Sequence, residues 1–480
     1  MLALRFYSLH FATIKANYMF TRILISFCLL LFSSAYLSGQ SVLDQYIQEA
    51  MQSNIALKQQ HLSYDKSLAV LQEAKANFLP QLSIESRYSV ARGGRAFVIP
   101  VGDLVNPLYQ NLNIVNQLGQ SASPDYPVIP EYQPIDNVEE NFLRETEQET
   151  TLRVIMPIYN NAIINNQKIQ TKLVEVNRIG INAYKRTLVA EVKTAYFNYW
   201  KASEAFDLYK NTLQLVEENL RTTESLFNNH QVTKDVVYLA SAQVEEVKQQ
   251  LAEAEKNKKV AQSFFNFLLN RDYTNEILPA ERSFSAIEVS ALETNRLQAI
   301  QSREELDQLN YAMSATDQKI QINRGSYLPT INLVADYGVQ GTRFSFTDED
   351  DFFMGSLVMS WKLFQPTQKA KTQQVQIEKM ELFQQKEALK QQIGLQVVQA
   401  WYDVEAARKA VSQAAAEVNA TEQAFKLINK KFEQGQANLV TWTDARTRQT
   451  TAQQKGIIAR YDYQIKLAAL EKASASYKLR

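Results

Sequence analysis

The chain has 480 residues, 51 basic against 51 acidic, and a single cysteine. No basic cluster exists for a nucleic-acid footprint, and one cysteine excludes a disulfide framework or a thiolate metal site. Length alone suggests two or three globular domains. The distribution of breakers argues against that: eight of the 11 prolines lie from Pro80 to Pro157, and none between Pro157 and Pro279 or after Pro366. Gly180 is the only glycine between Pro157 and Pro279. Such stretches read as helices far longer than the usual ~11–12 residues.

Residues 1–39 read as a signal peptide. Arg22 precedes the apolar run Ile23–Phe32, and Ser33, Ser34, Ala35, Ser38 and Gly39 follow. Cleavage is expected near Gly39–Gln40, with Ala35 the alternative, and Met19 begins a complete signal by itself. The run is shorter than the ~20 apolar residues of a spanning helix. Cys28 lies inside it behind Phe27, where lipid attachment needs a small residue.

The first repeat, 40–270, opens with a helix over 42–77, which Asn77-Phe78-Leu79-Pro80 ends because a residue before proline is pushed out of the helical region. Strict alternation follows at 81–91, with Leu82, Ile84, Tyr88 and Val90 opposite Ser83, Glu85, Arg87 and Ser89. An insert at 92–148 holds Gly93, Gly94, six prolines and Tyr109, Tyr126 and Tyr132, and reads as a polar, irregular loop. A second strand covers 150–159. From Leu188, apolar residues recur in steps of four and three through Val192, Ala195, Tyr199, Ala202 and Phe206 to Phe227, a coiled-coil seam on a long helix over 165–227. A polar turn, Asn228-Asn229-His230-Gln231, leads to a returning helix over 236–270.

A linker at 271–290 leads to a second repeat, 291–480, with the same plan. It contains a helix, strands at 330–340 and 353–364 around an acidic turn at 347–351, a long helix at 370–432 and a returning helix at 441–475. Its seam runs through Ile393, Val397, Ala400, Val404, Ala407 and Val411 to Phe432, and its turn is Glu433-Gln434-Gly435-Gln436. Segments 152–270 and 357–475 align without a gap at an offset of 205, whereas Phe78-Leu79-Pro80 matches Tyr327-Leu328-Pro329 at 249. The first copy therefore carries 44 more residues in between, the difference of the two offsets. Such self-similarity makes the chain a tandem duplication.

Four strands of about ten residues, each with one apolar and one charged face, fit either a soluble sandwich or a membrane barrel, for which ~9–11 residues suffice. Enzyme constellations do not occur. His10, His61 and His230 are far apart, and no phosphate loop, nucleophile elbow or Cys/His metal spacing is present. The chain is therefore expected to be neither an enzyme nor a holder of metal or cofactor.

The duplicated Leu-Pro signals, the strand ends Met156-Pro157-Ile158-Tyr159 and Lys362-Leu363-Phe364, and the far turn Phe432-Glu433-Gln434-Gly435-Gln436 with Leu439 and Asp444-Ala445 resemble the TolC family of outer-membrane efflux ducts. The resemblance covers the mature chain through order, duplication and helix length. It implies an α+β membrane protein in which coiled-coil hairpins and four strands per chain form a homotrimer, with a 12-stranded β-barrel set on a periplasmic α-barrel. Three chains also satisfy the arithmetic, because four strands cannot close a barrel and open edges are not tolerated in lipid.

The resemblance further implies a passive exit duct in the outer membrane of a Gram-negative bacterium, working in a tripartite efflux or type I secretion system. Its partners would be a periplasmic adaptor and an inner-membrane transporter. A periplasmic gate is expected at Asp444, with Thr441 at the companion position and Asp235 of the first hairpin as a further contributor. Asp444 as a plain solvated helix-face acid is the alternative. Adaptor docking is expected at the hairpin tips, Asn229, His230 and Gln231 with Gln434, Gly435 and Gln436. Tyr159, Trp361 and Phe364 are expected as membrane-interface aromatics. The rival reading is a soluble, elongated periplasmic coiled-coil adaptor with a small β domain, which leaves the strand lengths and terminal aromatics unexplained.

Overall fold

The computed structural model describes residues 42–279, 289–343, 347 and 350–479. The expected signal, with His10 and Cys28, and part of the 347–351 turn lie outside the described residues. In chain order the first half contains α1 (Val42–Ser53), α2 (Ile55–Ala76), β1 (Gln81–Val90), β2 (Ala96–Ile99), α3 (Val101–Ala122), β3 (Val138–Asn141), β4 (Thr146–Tyr159), α4 (Asn161–Asn228) and α5 (Lys234–Leu268). The second half contains α6 (Leu292–Ser302), α7 (Glu304–Arg324), β5 (Thr330–Gly341), β6 (Asp351–Ser360), α8 (Thr367–Glu433) and α9 (Leu439–Ser474). The chain divides into two units. One holds residues up to Ala69, Thr171–Thr316 and those from Ile377 on, and the other holds Val70–Gln170 and Asp317–Gln376.

The first unit is helical. At 1.5 Å per residue, the 68 residues of α4 and the 67 of α8 are each ~100 Å long. The four-three seams supply their cores. Leu188, Val192, Ala195 and Tyr199 are buried with Tyr46, Ile47, Leu57, Phe265 and Leu269 in one cluster. Ile393, Val397 and Val404 are buried with Ala299, Leu306, Tyr463 and Leu467 in its repeat-related counterpart. The linker packs too: Ile277 is buried, the Leu278 amide donates to the Tyr46 hydroxyl at 2.8 Å, and the Tyr196 hydroxyl donates to the Leu278 carbonyl at 3.2 Å.

The single helix expected over 42–77 is in fact broken at Asn54, and the equivalent helix of the second repeat is broken at Arg303, an offset of 249. No proline or glycine marks either break; each is held by distant partners. Asn54 accepts from the Leu57 amide at 3.0 Å as an N-cap and donates to the Leu268 carbonyl at 2.9 Å. Arg303 forks onto Glu305 at 2.9 and 2.7 Å and donates to the Ala473 carbonyl at 3.3 Å. Leu268 and Ala473 are themselves 205 apart, so both breaks tie to the same place on a returning helix.

The second unit holds an antiparallel sheet in the order β1-β4-β5-β6, leaving β1 and β6 as open edges within the chain. Pro157, which cannot donate to a ladder, sits in the inner strand β4 where the register shifts at Pro157/Tyr159, a bulge that spares the missing bond. Strands of 10, 14, 12 and 10 residues are long enough to cross a bilayer as a barrel. Among the described residues no helix is long and apolar enough to do so. The second strand begins at Thr146 rather than 150, and the fourth ends at Ser360 rather than 364, so Trp361 and Phe364 fall just beyond it.

One sheet face is apolar and open: Leu82 is 66% exposed, Ile84 73%, Phe353 73% and Leu357 69%. The other carries linked charges. Arg153 donates to both Asp336 oxygens at 2.8 and 3.1 Å and to Glu85 at 3.0 Å, and Arg87 donates to Glu149 at 2.8 Å. A soluble sandwich would bury the first face and wet the second; among the described residues nothing covers the apolar face.

The insert, expected as a polar and irregular loop, carries regular elements. Strands β2 and β3 pair antiparallel on either side of α3. Paired amides hold the helix to the strap that follows it. Asn106 donates to the Ile135 carbonyl and accepts from its amide at 2.8 and 2.9 Å. Asn113 does the same with Tyr132 at 2.9 and 2.8 Å. Gly102 sits so close that a Cβ would lie 2.5 Å from the Ile135 carbonyl oxygen.

Candidate gate and hairpin tips

Both tips are built by one device. At the end of α4 the His230 amide donates to the Phe227 carbonyl at 2.9 Å, and the Gln231 amide to that of Leu226 at 2.9 Å. At the end of α8, Gly435 and Gln436 donate to Phe432 and Lys431 at 2.9 and 2.8 Å. These crossed bonds are a Schellman closure, which needs a left-handed residue. His230 fills that position at φ 60° and Gly435 at φ 71°. Glycine adopts this conformation freely, whereas histidine does so at a cost.

The returning helices start differently. Thr233 makes no side-chain cap on α5, but Asn438 accepts from the Thr441 amide at 2.9 Å and from its hydroxyl at 2.8 Å. Thr441, expected at the gate, is therefore engaged in starting α9. Asp444 lies one turn further on, exposed, and accepts from Arg448 Nε at 2.8 Å. Asp235 is exposed in the first turn of α5, where its negative charge suits the positive end of the helix. Among the described residues no group of three His, Cys, Asp or Glu is placed to hold a metal ion.

What fixes these positions is Trp442, which no motif in the sequence singles out. Trp442 is 1% exposed and packs in one cluster with Val216, Val244, Val247 and Leu439, joining the two hairpins. Its ring meets Phe425 edge-on at 5.7 Å and Phe432 at 5.9 Å, and its Nε1 donates to Asn429 Oδ1 at 2.7 Å. Gln243 and Thr443 hydrogen-bond across the same join. Two residues along a helix is a turn of about 200°, so Asp444 points away from the core that Trp442 fills. Arg446 is 4% exposed with no partner for its Nε, and burial lowers its pKa from the ordinary arginine value while Glu246 acts the other way. The available signal was the seam itself, since Leu439, Trp442 and Arg446 stand at its three-four spacing.

The expected interface aromatics fall together at the strand-to-helix joins. Tyr159 closes β4, Phe364 is 85% exposed, and Trp361 is exposed with its Nε1 donating to the Tyr327 carbonyl at 2.9 Å.

An open-edged four-stranded sheet with a bare apolar face and an ion-paired one, in a chain with two ~100 Å hairpin helices, is the arrangement that the resemblance to the TolC family implies for one chain. Residues 296–476 match the family described as outer membrane efflux protein. The chain is 22% identical over 464 residues to the outer membrane protein TolC of Escherichia coli (strain K12), covering 92% of this chain and 83% of TolC. Its fold is similar to the Campylobacter jejuni CmeC outer membrane channel (TM-score 0.71, 14% identity, 90% of this chain and 85% of that one). It is also similar to the open state of the Neisseria gonorrhoeae MtrE outer membrane channel (TM-score 0.68, 18% identity, 90% and 88%). The second half of the chain thus matches the outer membrane efflux protein family, and the chain is similar to TolC over most of its length and to solved outer-membrane channels in fold.

Proposed function

We propose that this chain is the exit duct of an efflux or type I secretion system: a passive trimeric channel in the outer membrane with a periplasmic helical extension. The observation that carries the reading is the sheet. Its apolar face is uncovered, its charges pair on the opposite face, and both edges are open. An apolar face of this kind is stable against lipid, and open strand edges there are stable only when copies close them into a ring; three copies supply twelve strands. The rival reading as a soluble adaptor requires something to cover Leu82, Ile84, Phe353 and Leu357.

The duct's partners would be a periplasmic adaptor and an inner-membrane transporter. The adaptor would meet the tips at Asn229, His230 and Gln231 and at Gln434, Gly435 and Gln436. Asp444, facing away from the Trp442 core, would line the periplasmic gate, with Asp235 contributing and Thr441 acting through the cap. Tyr159, Trp361 and Phe364 would mark the periplasmic membrane interface. The test is the protein mass of the detergent-extracted membrane particle by light scattering after size exclusion. A mass near three mature chains is expected; a monomer released with soluble periplasm would refute the duct.

A further inference from the structure

The insert helix α3 has one side consumed and one side bare. Asn106 and Asn113 bind the strap, and Tyr109 stacks on Tyr132 at 5.2 Å. On the opposite side Leu104 is 75% exposed, Leu108 58%, Val115 57% and Leu118 64%. With Asn111, these residues recur in steps of four, three, four and three. That is the four-three spacing of a coiled-coil seam, flanked by Leu112, 38% exposed, and Ile114, 54%, and a single asparagine in such a seam can set register and copy number.

Charge argues against a membrane surface as the occupant. Between Ala96 and Asn141 there are six acids (Asp103, Asp125, Glu131, Asp136, Glu139 and Glu140) and no lysine or arginine. Helices that lie on anionic lipid carry Lys and Arg on their polar side. Position argues for another copy. The insert leaves the sheet from β1, the open edge that ring closure would pair with β6 of a neighbouring copy, so the seam starts at the copy-to-copy boundary.

We propose that α3 of three copies packs through Leu104, Leu108, Asn111, Val115 and Leu118 as a parallel three-helix bundle on the threefold axis, capping the barrel end where the β1–β4 connection emerges. This rests on the trimeric duct reading. Three symmetric helices that each touch both others must surround the axis, so the bundle lies across the exit path. A desolvated Asn111 keeps it weaker than an all-leucine seam, which suits a cap that must part for cargo.

Disulfide trapping in the intact, membrane-extracted particle tests this. Leu108→Cys and Val115→Cys are expected to give a cross-linked dimer that reductant removes, while Gln110→Cys, exposed but off the seam, gives none. All three sites are exposed or outside the core, so folding is not at stake. A particle that light scattering shows to be trimeric but that traps nothing at 108 or 115 overturns the cap and leaves the duct standing. A particle that is not trimeric overturns both. Quenching of a Leu108→Trp probe by brominated lipid would assign the seam to the membrane and equally overturn the cap.

Discussion

Replacing Trp442 should loosen both hairpin tips at once. The side chain is 1% exposed, meets Phe425 and Phe432, and donates to Asn429. Buried Trp→Ala changes cost about 3–5 kcal/mol. At the low end, taken because a site near an exposed tip can partly collapse, Trp442→Ala raises the local opening constant on the order of 100-fold. Trp442→Phe keeps most of the ring contact and loses one hydrogen bond, a cost of about 1 kcal/mol. Asn429 keeps its other partner, Glu433, at 2.7 Å, which limits the damage. Native-state hydrogen exchange on the detergent-solubilised particle reads this directly over 215–247 and 420–446. The alanine variant should lose protection in both hairpins, because the cluster spans them, and the phenylalanine variant only slightly. Loss confined to 420–446 would show that Trp442 does not join the hairpins, and equal effects of the two variants would refute the packing estimate.

Asp444→Asn should raise single-channel conductance in a planar bilayer or reduce block by divalent cations; an unchanged trace removes Asp444 from the gate and leaves it a solvated acid paired with Arg448. The two tip positions 205 apart should respond with opposite sign in thermal unfolding. His230→Gly relieves a left-handed histidine and stabilises, whereas Gly435→Ala forces a Cβ into that conformation and destabilises, each by about 1 kcal/mol. For Glu305, burial is the largest influence and raises the carboxyl pKa, but the Arg303 hydrogen bonds, a backbone hydrogen bond and the charges of Arg303 and Arg186 together outweigh it, and the net shift is down from 4.5. A folded value below the unfolded one gives stability that is present above the unfolded pKa and lost as pH falls through the folded one. Melting temperature should therefore drop on acidification below about pH 4.5, and Glu305→Gln should flatten that part of the profile; an unchanged slope would mean the pair contributes nothing.

Much of the site was legible because it repeats. The turn at Gly435 could be read from a glycine after a long helix, and the offset of 205 carried the same geometry to His230, where no glycine marks it. The role of Trp442 was not legible as a joint between hairpins, because a seam position names the face a residue takes and not the chain segment that meets it. Thr441 stood at a gate position in the resemblance, yet its hydroxyl is spent on Asn438, a local contact that only the cap geometry reveals. In the insert, proline and polar content pointed to an irregular loop. The paired amides of Asn106 and Asn113 instead bind a strap more than 18 residues away, and propensity does not register such partners.

By itself the sequence determined the periodicities: four-three seams for the long helices, strict alternation for four strands, breakers for the turns, and a duplication that set their order. These depend only on which face of a regular backbone each side chain takes. Tertiary structure decided whatever depends on partners far along the chain. It broke the first helix of each repeat at Asn54 and Arg303, because the carbonyls of Leu268 and Ala473 reward the break. It also set Arg153 on Asp336 and Glu85 and left the opposite sheet face bare. Alternation is the same for a sandwich and a barrel, and only the pairing of strands shows which face is left without cover.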